Sequence, residues 1–307
     1  MIYVALAVIG ATAIGIACEH RFAGARQAAN RMLRVMLYVL VPFVSFVNIA
    51  HLRVTVGAGI GIAAAWVMIA VVGVSAYAIG RFWLRLADRE LGALISTVVV
   101  VNTGYLGLPM AVALLHTRAL GSAVAYDQLV SGPALPLVGF GVGAAFGTRS
   151  GQSTLARVRS FLTRNPPLVG VVAGLLAPPS LAPAPLPGIS HVVVASLLLL
   201  GFFAVGVHLG SERREDAARL LERPDRRVGV AVALRVVAAP LILAGLAAPF
   251  VRVPAAYLLQ AGMPTGINSL IVGHAYGLDQ RLIATIVVWS TAIVLVGGLV
   301  LSLSPLL

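Results

Sequence analysis

Two short polar stretches interrupt long apolar segments of the sequence, and their residue types are suited to binding a small anion. The first lies in Val98–Met110 (VVVVNTGYLGLPM) and the second in Gly262–Val272 (GMPTGINSLIV). Both contain glycine and proline, which interrupt helices. Where a helix restarts, its amide N–H groups lack intrahelical partners and carry about half a positive charge. Two such ends near the middle of a bilayer would suit a carboxylate.

The two stretches correspond to each other at a constant offset, 265 − 103 = 162 residues, which is about half of the 307-residue chain. Broken apolar segments at matching positions of two halves indicate a transporter built from an inverted repeat. The identical pairs are Thr103 and Thr265, Gly104 and Gly266, and Leu108 and Leu270. One such break could merely kink a packed helix, whereas a matched pair favours a binding site.

We therefore expect a substrate site at the two breaks. Its polar side chains could cap the restarted helices, contact the solute, or do both. The predicted substrate-binding residues are Asn102, Thr103, Gly104, Pro264, Thr265, Gly266, Asn268 and Ser269.

Three titratable residues are candidate coupling groups or charge partners. Arg235 falls within a span, where it could pair with an anion, stand at a domain interface or extend toward the inner surface. Asp127 could carry a proton, but its place near the outer end of its span favours an interfacial acid that caps the helix. His274 follows the second break and could titrate near neutral pH, although helix packing is the commoner role of such a histidine.

The composition indicates a membrane protein, because 60% of the residues are hydrophobic, 10% are charged and the mean hydropathy is +1.00. Backbone groups have no water partners in lipid, so the spans must be helices. All 22 basic residues are arginines and the formal charge is +12, which we interpret as a topology signal rather than a sign of nucleic-acid binding. The single cysteine, Cys18, argues against a disulfide framework and a cysteine metal cluster. We expect no metal and no cofactor.

Hydropathy and arginine placement predict about ten spans, with five per half. The first half is residues 1–150 and the second is residues 151–307. Arginines concentrate in alternate loops, which places both termini outside the inner (plasma) membrane. An odd number of spans per half inverts the second half relative to the first. An arginine-rich central loop separates the halves, and residues 211–227 read as an amphipathic surface helix.

Three motifs together resemble the auxin efflux carrier family of permeases, which includes plant auxin exporters and bacterial malate and malonate permeases. They are NTGYLGLPM, RNPPLVGVVAGLL and MPTGIN with the following HAYGLD, in that order along nearly the full chain. The resemblance implies an all-α polytopic membrane protein with ten transmembrane helices in two inverted five-helix repeats, of the bile acid symporter and NhaA type, with broken crossing helices four and nine. It further implies a scaffold of spans 1, 2, 6 and 7, a mobile transport part of spans 3–5 and 8–10, elevator-type movement and a homodimer. Val101 replaces the proline of plant members, so plant hormone transport is not inferred.

The leading functional prediction is a secondary transporter that moves a small organic anion, a carboxylate, by alternating access. The sequence has no Walker-type phosphate loop for ATP-driven pumping, and it lacks the paired carboxylates or nucleophile–base arrangement of an intramembrane enzyme. A membrane receptor that binds a small molecule without net transport is the alternative. The expected partners are the anion, the lipid bilayer and a second copy of the chain.

Overall fold

The computed structural model describes residues 2–51, 56–148, 166–178, 181, 183, 185–210 and 224–303. The central arginine-rich loop and residues 211–223 of the predicted surface helix lie outside the described residues. Within the described ranges, regular secondary structure is helical apart from one bridged residue pair. In chain order the helices are α1 Ile2–Arg21, α2 Ala25–Val35, α3 Val41–Ala50, α4 Val56–Ala78, α5 Asp88–Val99, α6 Leu108–Leu115, α7 Leu120–Tyr126, α8 Gly132–Ala134, α9 Phe140–Phe146, α10 Pro166–Leu176, α11 Pro185–Gly210, α12 Arg226–Val232, α13 Ala239–Ala247, α14 Ala255–Ala261, α15 Asn268–Tyr276 and α16 Gln280–Leu303.

Several helices continue into their neighbours through π-type turns, so that two or three of them form one longer rod. Five rods of described residues are long and apolar enough to cross a membrane. These are Ala58–Trp83, Thr117–Phe146, Pro185–Ala204, Arg226–Ala247 and Gln280–Ser302, with shorter apolar helices at Tyr38–Ala50 and Thr103–Leu115. The predicted helical, multi-pass membrane class is confirmed.

Two groups of helices share the closest packing. In one group, α1 lies along α11 and α3 lies along α10. Glycines allow this approach, since a side-chain carbon at Gly206 would collide with the backbone of Thr12. In the other group, residues of α4, α5, α12, α13 and α16 form the largest buried apolar cluster. The two interrupted segments, α5–α6 and α14–α15, pass through the interior, where they can be surrounded by protein.

Candidate functional site: the crossing of two interrupted helices

The first interruption consists of residues 100–102, between α5 and the π-type turn Thr103–Gly107 that leads into α6. Four consecutive valines, at 98–101, precede it, and β-branched residues favour extended backbone. Val100 is extended, with φ −94° and ψ 117°. The helix restarts at Thr103, and Pro109, which has no N–H for the helical hydrogen-bond ladder, lies just after the π-type turn.

The second interruption consists of residues 262–267, between α14 and α15. Gly262 is the C-cap of α14, and Pro264 follows two residues later. Proline cannot continue a helix because it has no N–H and restricts the residue before it. Pro264, Thr265 and Gly266 are all buried.

The two interruptions pair with each other as short antiparallel extended segments. Val101 is bridged to Thr265. The Asn102 N–H donates to the Pro264 carbonyl at 2.9 Å, and the Gly266 N–H donates to the Val100 carbonyl at 2.9 Å. Two amides and two carbonyls released by the breaks therefore find partners without water, which lowers the cost of interrupting helices in lipid. We call this paired region the crossing.

Arg235 ties together the carboxyl ends of the two helices that lead into the crossing. Its guanidinium donates to the Val98 carbonyl at 2.9 Å and to the Ala261 carbonyl. The side chain is 1% exposed, so it does not extend to the inner surface. A cation is favourable at helix carboxyl ends, where unpaired carbonyls carry partial negative charge. The sequence suggested an anion partner or a domain-interface charge for Arg235, and the partners that the structure shows are backbone carbonyls.

Asp127 lies at the amide end of the first restarted helix, which corrects the interpretation of this residue as an interfacial acid. The carboxyl group is buried, accepts a hydrogen bond from the Thr103 hydroxyl and accepts another from the Gln128 amide at 2.6 Å. The rod Thr117–Phe146 begins well before Asp127, so the acid stands inside the span rather than at its outer end. The span boundary predicted from hydropathy was not precise enough to show how deep Asp127 lies in its span.

Gln260 is a member of the crossing that sequence reasoning missed. It is fully buried on α14, and its amide nitrogen donates to the Ala123 carbonyl at 3.2 Å and to the Thr103 carbonyl at 3.4 Å. Its amide oxygen has no hydrogen-bond partner. A glutamine in the apolar run that precedes the second break was the available signal. It links the helix before the second interruption to the helix after the first.

The polar residues of the second interruption are satisfied mostly by neighbours at the crossing. The Thr265 hydroxyl donates to the Thr97 carbonyl at 2.8 Å, while the Thr265 N–H donates to the Ser290 hydroxyl at 3.2 Å. The Ser269 hydroxyl donates to the Gly266 carbonyl at 2.7 Å. Asn268 is half-buried at the start of α15.

Neither restarted helix has a side-chain cap at its amide end. The residues at the two N-cap positions, Asn102 and Ile267, make no side-chain hydrogen bond to the amides that follow. Capping was one of the roles considered for Asn102, and in this structure it is not used. The first-turn N–H groups of Thr103–Leu115, which have no acceptor within their own helix, thus form a region of positive potential beside Asn102, Thr103 and Gly104.

His274 is placed differently from the other predicted residues. Its side chain is exposed on α15, whereas the predicted substrate-binding residues and Asp127 lie buried or half-buried at or near the crossing. Within the part of the chain that the structure describes, no group of three or more His, Cys, Asp or Glu side chains is arranged to hold a metal ion.

Comparison with known proteins gives two similarities. A family profile described as membrane transport protein matches residues 161–302, a range that includes Arg235 and the second interruption. An uncharacterized transporter of Methanocaldococcus jannaschii is 27% identical over 219 residues, which cover 70% of this chain and 68% of the relative. Both similarities are to proteins of membrane transport rather than to enzymes.

Proposed function

We propose that the chain is a secondary transporter of a small organic anion of the carboxylate class, because its motifs resemble the auxin efflux carrier family and its second half matches a membrane transport protein profile. The observation that carries this proposal is the crossing itself. Two helices break where protein surrounds them, their breaks are hydrogen-bonded together, and the restarted helices present uncapped amide ends. Such a feature is costly in lipid, and its common use is a solute site.

The chemistry of the crossing favours a negatively charged group. A carboxylate accepts several hydrogen bonds at once, and the first-turn amides of Thr103–Leu115 supply donors that point in one direction. The side-chain amide of Asn102 lies beside them and is buried, so it can add a donor without competing water. Thr103 and Gly104 complete the predicted contacts at the first interruption. Pro264, Thr265, Gly266, Asn268 and Ser269 form the second wall of the site.

The mechanism that we propose is alternating access of the elevator type within ten spans arranged as two inverted five-helix repeats. Packing supports a division into two parts, since α1 with α11 and α3 with α10 form one group. The interrupted helices belong with the other group, whose apolar cluster includes α4, α12 and α16. In this arrangement the crossing would move with the second group relative to the first. A homodimer in the inner membrane, with both termini outside, completes the proposal.

Uptake into proteoliposomes tests this function. Labelled malonate and labelled lactate represent dicarboxylates and monocarboxylates, and saturable accumulation of either one supports transport. The double variant Asn102→Ala with Asn268→Ala removes both side-chain amides at the restarted helices, and we expect uptake to fall about tenfold or more, equivalent to ~1.4 kcal/mol of binding. The matched control is Asn30→Ala, since Asn30 is exposed on α2, away from the crossing.

A receptor without net transport is the alternative outcome. It would bind the same probes by calorimetry, with the same sensitivity to the double variant, but would give no accumulation inside vesicles. If neither binding nor accumulation of either probe occurs, or if Asn30→Ala reduces uptake as strongly as the double variant does, the proposal fails.

A further inference from the structure

Asp127 is a buried acid for which anion transport alone gives no role. It is 8% exposed, and both of its carboxyl oxygens accept side-chain hydrogen bonds, from Thr103 and Gln128. It lies directly beside the proposed anion site, because a side-chain carbon built on Gly104 would be 3.6 Å from one of its oxygens. A solute carboxylate on the first-turn amides would therefore meet a second carboxylate in a buried region.

Two neighbouring carboxylates cannot both stay ionised at low cost in a poorly solvated site. We propose that Asp127 takes up a proton when the anion binds and releases it when the anion leaves, so that the protein is a proton–anion symporter. This inference rests on the proposed function and names its coupling ion. The balance is simple: one carboxylate oxygen gains one proton from the aqueous side that the site faces, and returns it to the opposite side.

The hydrogen-bond partners of Asp127 suit both protonation states. A threonine hydroxyl is a donor and an acceptor, so Thr103 can donate to the ionised carboxylate and accept from the protonated acid after rotation. The Gln128 amide continues to donate to the other oxygen in either state. A fixed cation as partner would instead hold the carboxylate permanently ionised.

The other titratable groups near Asp127 are poorer candidates for the proton carrier. The elements that pack against its turn are α4, α7, α8, α10 and the turn Thr103–Gly107, whose titratable residues are Tyr77, Tyr105 and Tyr126. Tyr105 is close enough to interact electrostatically with Asp127 and also packs against Gly201 of α11. The ring of Tyr126 packs on Tyr257, and that of Tyr77 packs on phenylalanines 82 and 146. Arg235, the buried cation of the crossing, is engaged by backbone carbonyls.

The test measures anion and proton fluxes together in proteoliposomes that contain a trapped pH dye. Labelled malonate and lactate are supplied between about pH 6.5 and 8.5, where both probes are mostly ionised. For the unchanged chain we expect the lumen to acidify as anion enters, and the apparent KM to rise up to about tenfold per pH unit, the limit for one proton linked to one anion. Asp127→Asn keeps the size and removes the proton site, so uptake should persist without proton movement and without pH dependence. Asp225→Asn changes an exposed acid at the start of α12, away from the crossing, and is the matched control that should keep both proton movement and pH dependence.

Gln128→Leu gives a second test of proton coupling through Asp127, which remains informative if the Asp127→Asn variant does not fold. Losing the Gln128 donor penalises the ionised carboxylate, so the pH dependence of KM should move to higher pH with coupling intact. The proton assignment is overturned if the unchanged chain accumulates anion without acidifying the lumen, if Asp127→Asn still carries protons, or if Gln128→Leu leaves the pH profile in place. It is also overturned if a sodium gradient at constant pH drives uptake and Asp127→Asn abolishes that response. Absence of accumulation in the unchanged chain would instead remove the proposed transport function.

Discussion

The two interruptions occupy matching positions in the sequence, yet the structure satisfies them in different ways. At the second interruption the amides of Ser269 and Leu270 donate to the carbonyls of Gly266 and Ile267, so the restarted helix closes its own amide end with tight turns. At the first, the π-type turn begins with the Gly107 N–H, which donates to the Asn102 carbonyl, and the amides before it are left without partners in the helix. The first amide end is therefore the more open of the two.

The two interruptions also differ in the charged groups beside them. The open amide end faces Asp127, whereas hydroxyl groups and backbone surround the second interruption. Arg235 belongs to both, because it contacts the last turns of α5 and α14 together. Two interrupted segments at matching sequence positions are thus asymmetric in structure, because only the first lies beside the titratable group Asp127.

The largest effect should come from Arg235→Met, which removes what the two interruptions share. The variant leaves the carbonyls of Val98 and Ala261 without a donor and deprives two helix ends of a compensating charge. We expect a loss of about 3 kcal/mol in the free energy of unfolding, the scale for breaking a buried charged contact. Thermal unfolding in detergent measures it. Arg235→Lys keeps the charge but cannot donate to both carbonyls in the same geometry, so its unfolding midpoint should lie between those of the unchanged chain and Arg235→Met. An unfolding midpoint of Arg235→Met equal to that of the unchanged chain would contradict the bridging role.

Alanine substitution at Gly104 and Gly266, which occupy matching positions, should have the next largest effect and should cost different amounts of stability at the two interruptions. A side-chain carbon at Gly266 would stand 2.9 Å from the Val101 carbonyl oxygen, which cannot move without breaking the paired segment. At Gly104 the nearest atom is the Asp127 carboxylate oxygen at 3.6 Å, an ordinary contact. Gly266→Ala should therefore cost about 2 kcal/mol of stability by overpacking, while Gly104→Ala should cost less than about 1 kcal/mol. Equal losses in chemical unfolding would mean that the crossing is not as tight at residue 266 as we describe.

Valine at the two equivalent threonines gives a smaller, pH-dependent contrast. Thr103→Val removes a donor from a carboxylate, so its cost of about 1–2 kcal/mol should grow as pH rises and Asp127 ionises. Thr265→Val leaves one backbone carbonyl, that of Thr97, without its hydroxyl donor, and should cost about 1 kcal/mol at every pH. Melting curves at about pH 5 and about pH 8 compare them. A pH-dependent loss in Thr265→Val, or a constant one in Thr103→Val, would argue against a charged group at the first interruption alone.

Sequence reasoning could locate the two breaks because helix breakers in an apolar segment act locally. Proline and glycine at Pro264 and Gly266 interrupt any helix, whatever surrounds it. The partners of Arg235 and Asp127 were beyond reach, since both depend on which helices cross and at what depth. Gln260 was missed for the same reason: a single amide in an apolar run acquires its meaning only from the carbonyls that it meets across the crossing. The class of fold followed from composition, whereas the asymmetry of the site is a property of packing.

An acid at an exposed helix start provides the smallest effect and a reference for Asp127. Asp225 precedes α12, and its carboxylate accepts from the Val228 N–H at 3.0 Å and from the Arg227 guanidinium at 2.6 Å. Partial burial tends to raise the pKa of Asp225, but the hydrogen bonds from Val228 and Arg227 outweigh it and lower the pKa below its usual value. A lowered pKa in the folded state means that this carboxylate stabilises the fold at neutral pH and that the contribution is lost as pH falls through the folded pKa. Asp225→Ala should therefore cost about 1 kcal/mol, the usual value of a helix cap, at neutral pH and much less in acid. Asp225→Asn, which retains a capping oxygen, should cost less than Asp225→Ala. A loss from Asp225→Ala that increases in acid would contradict the lowered pKa of Asp225.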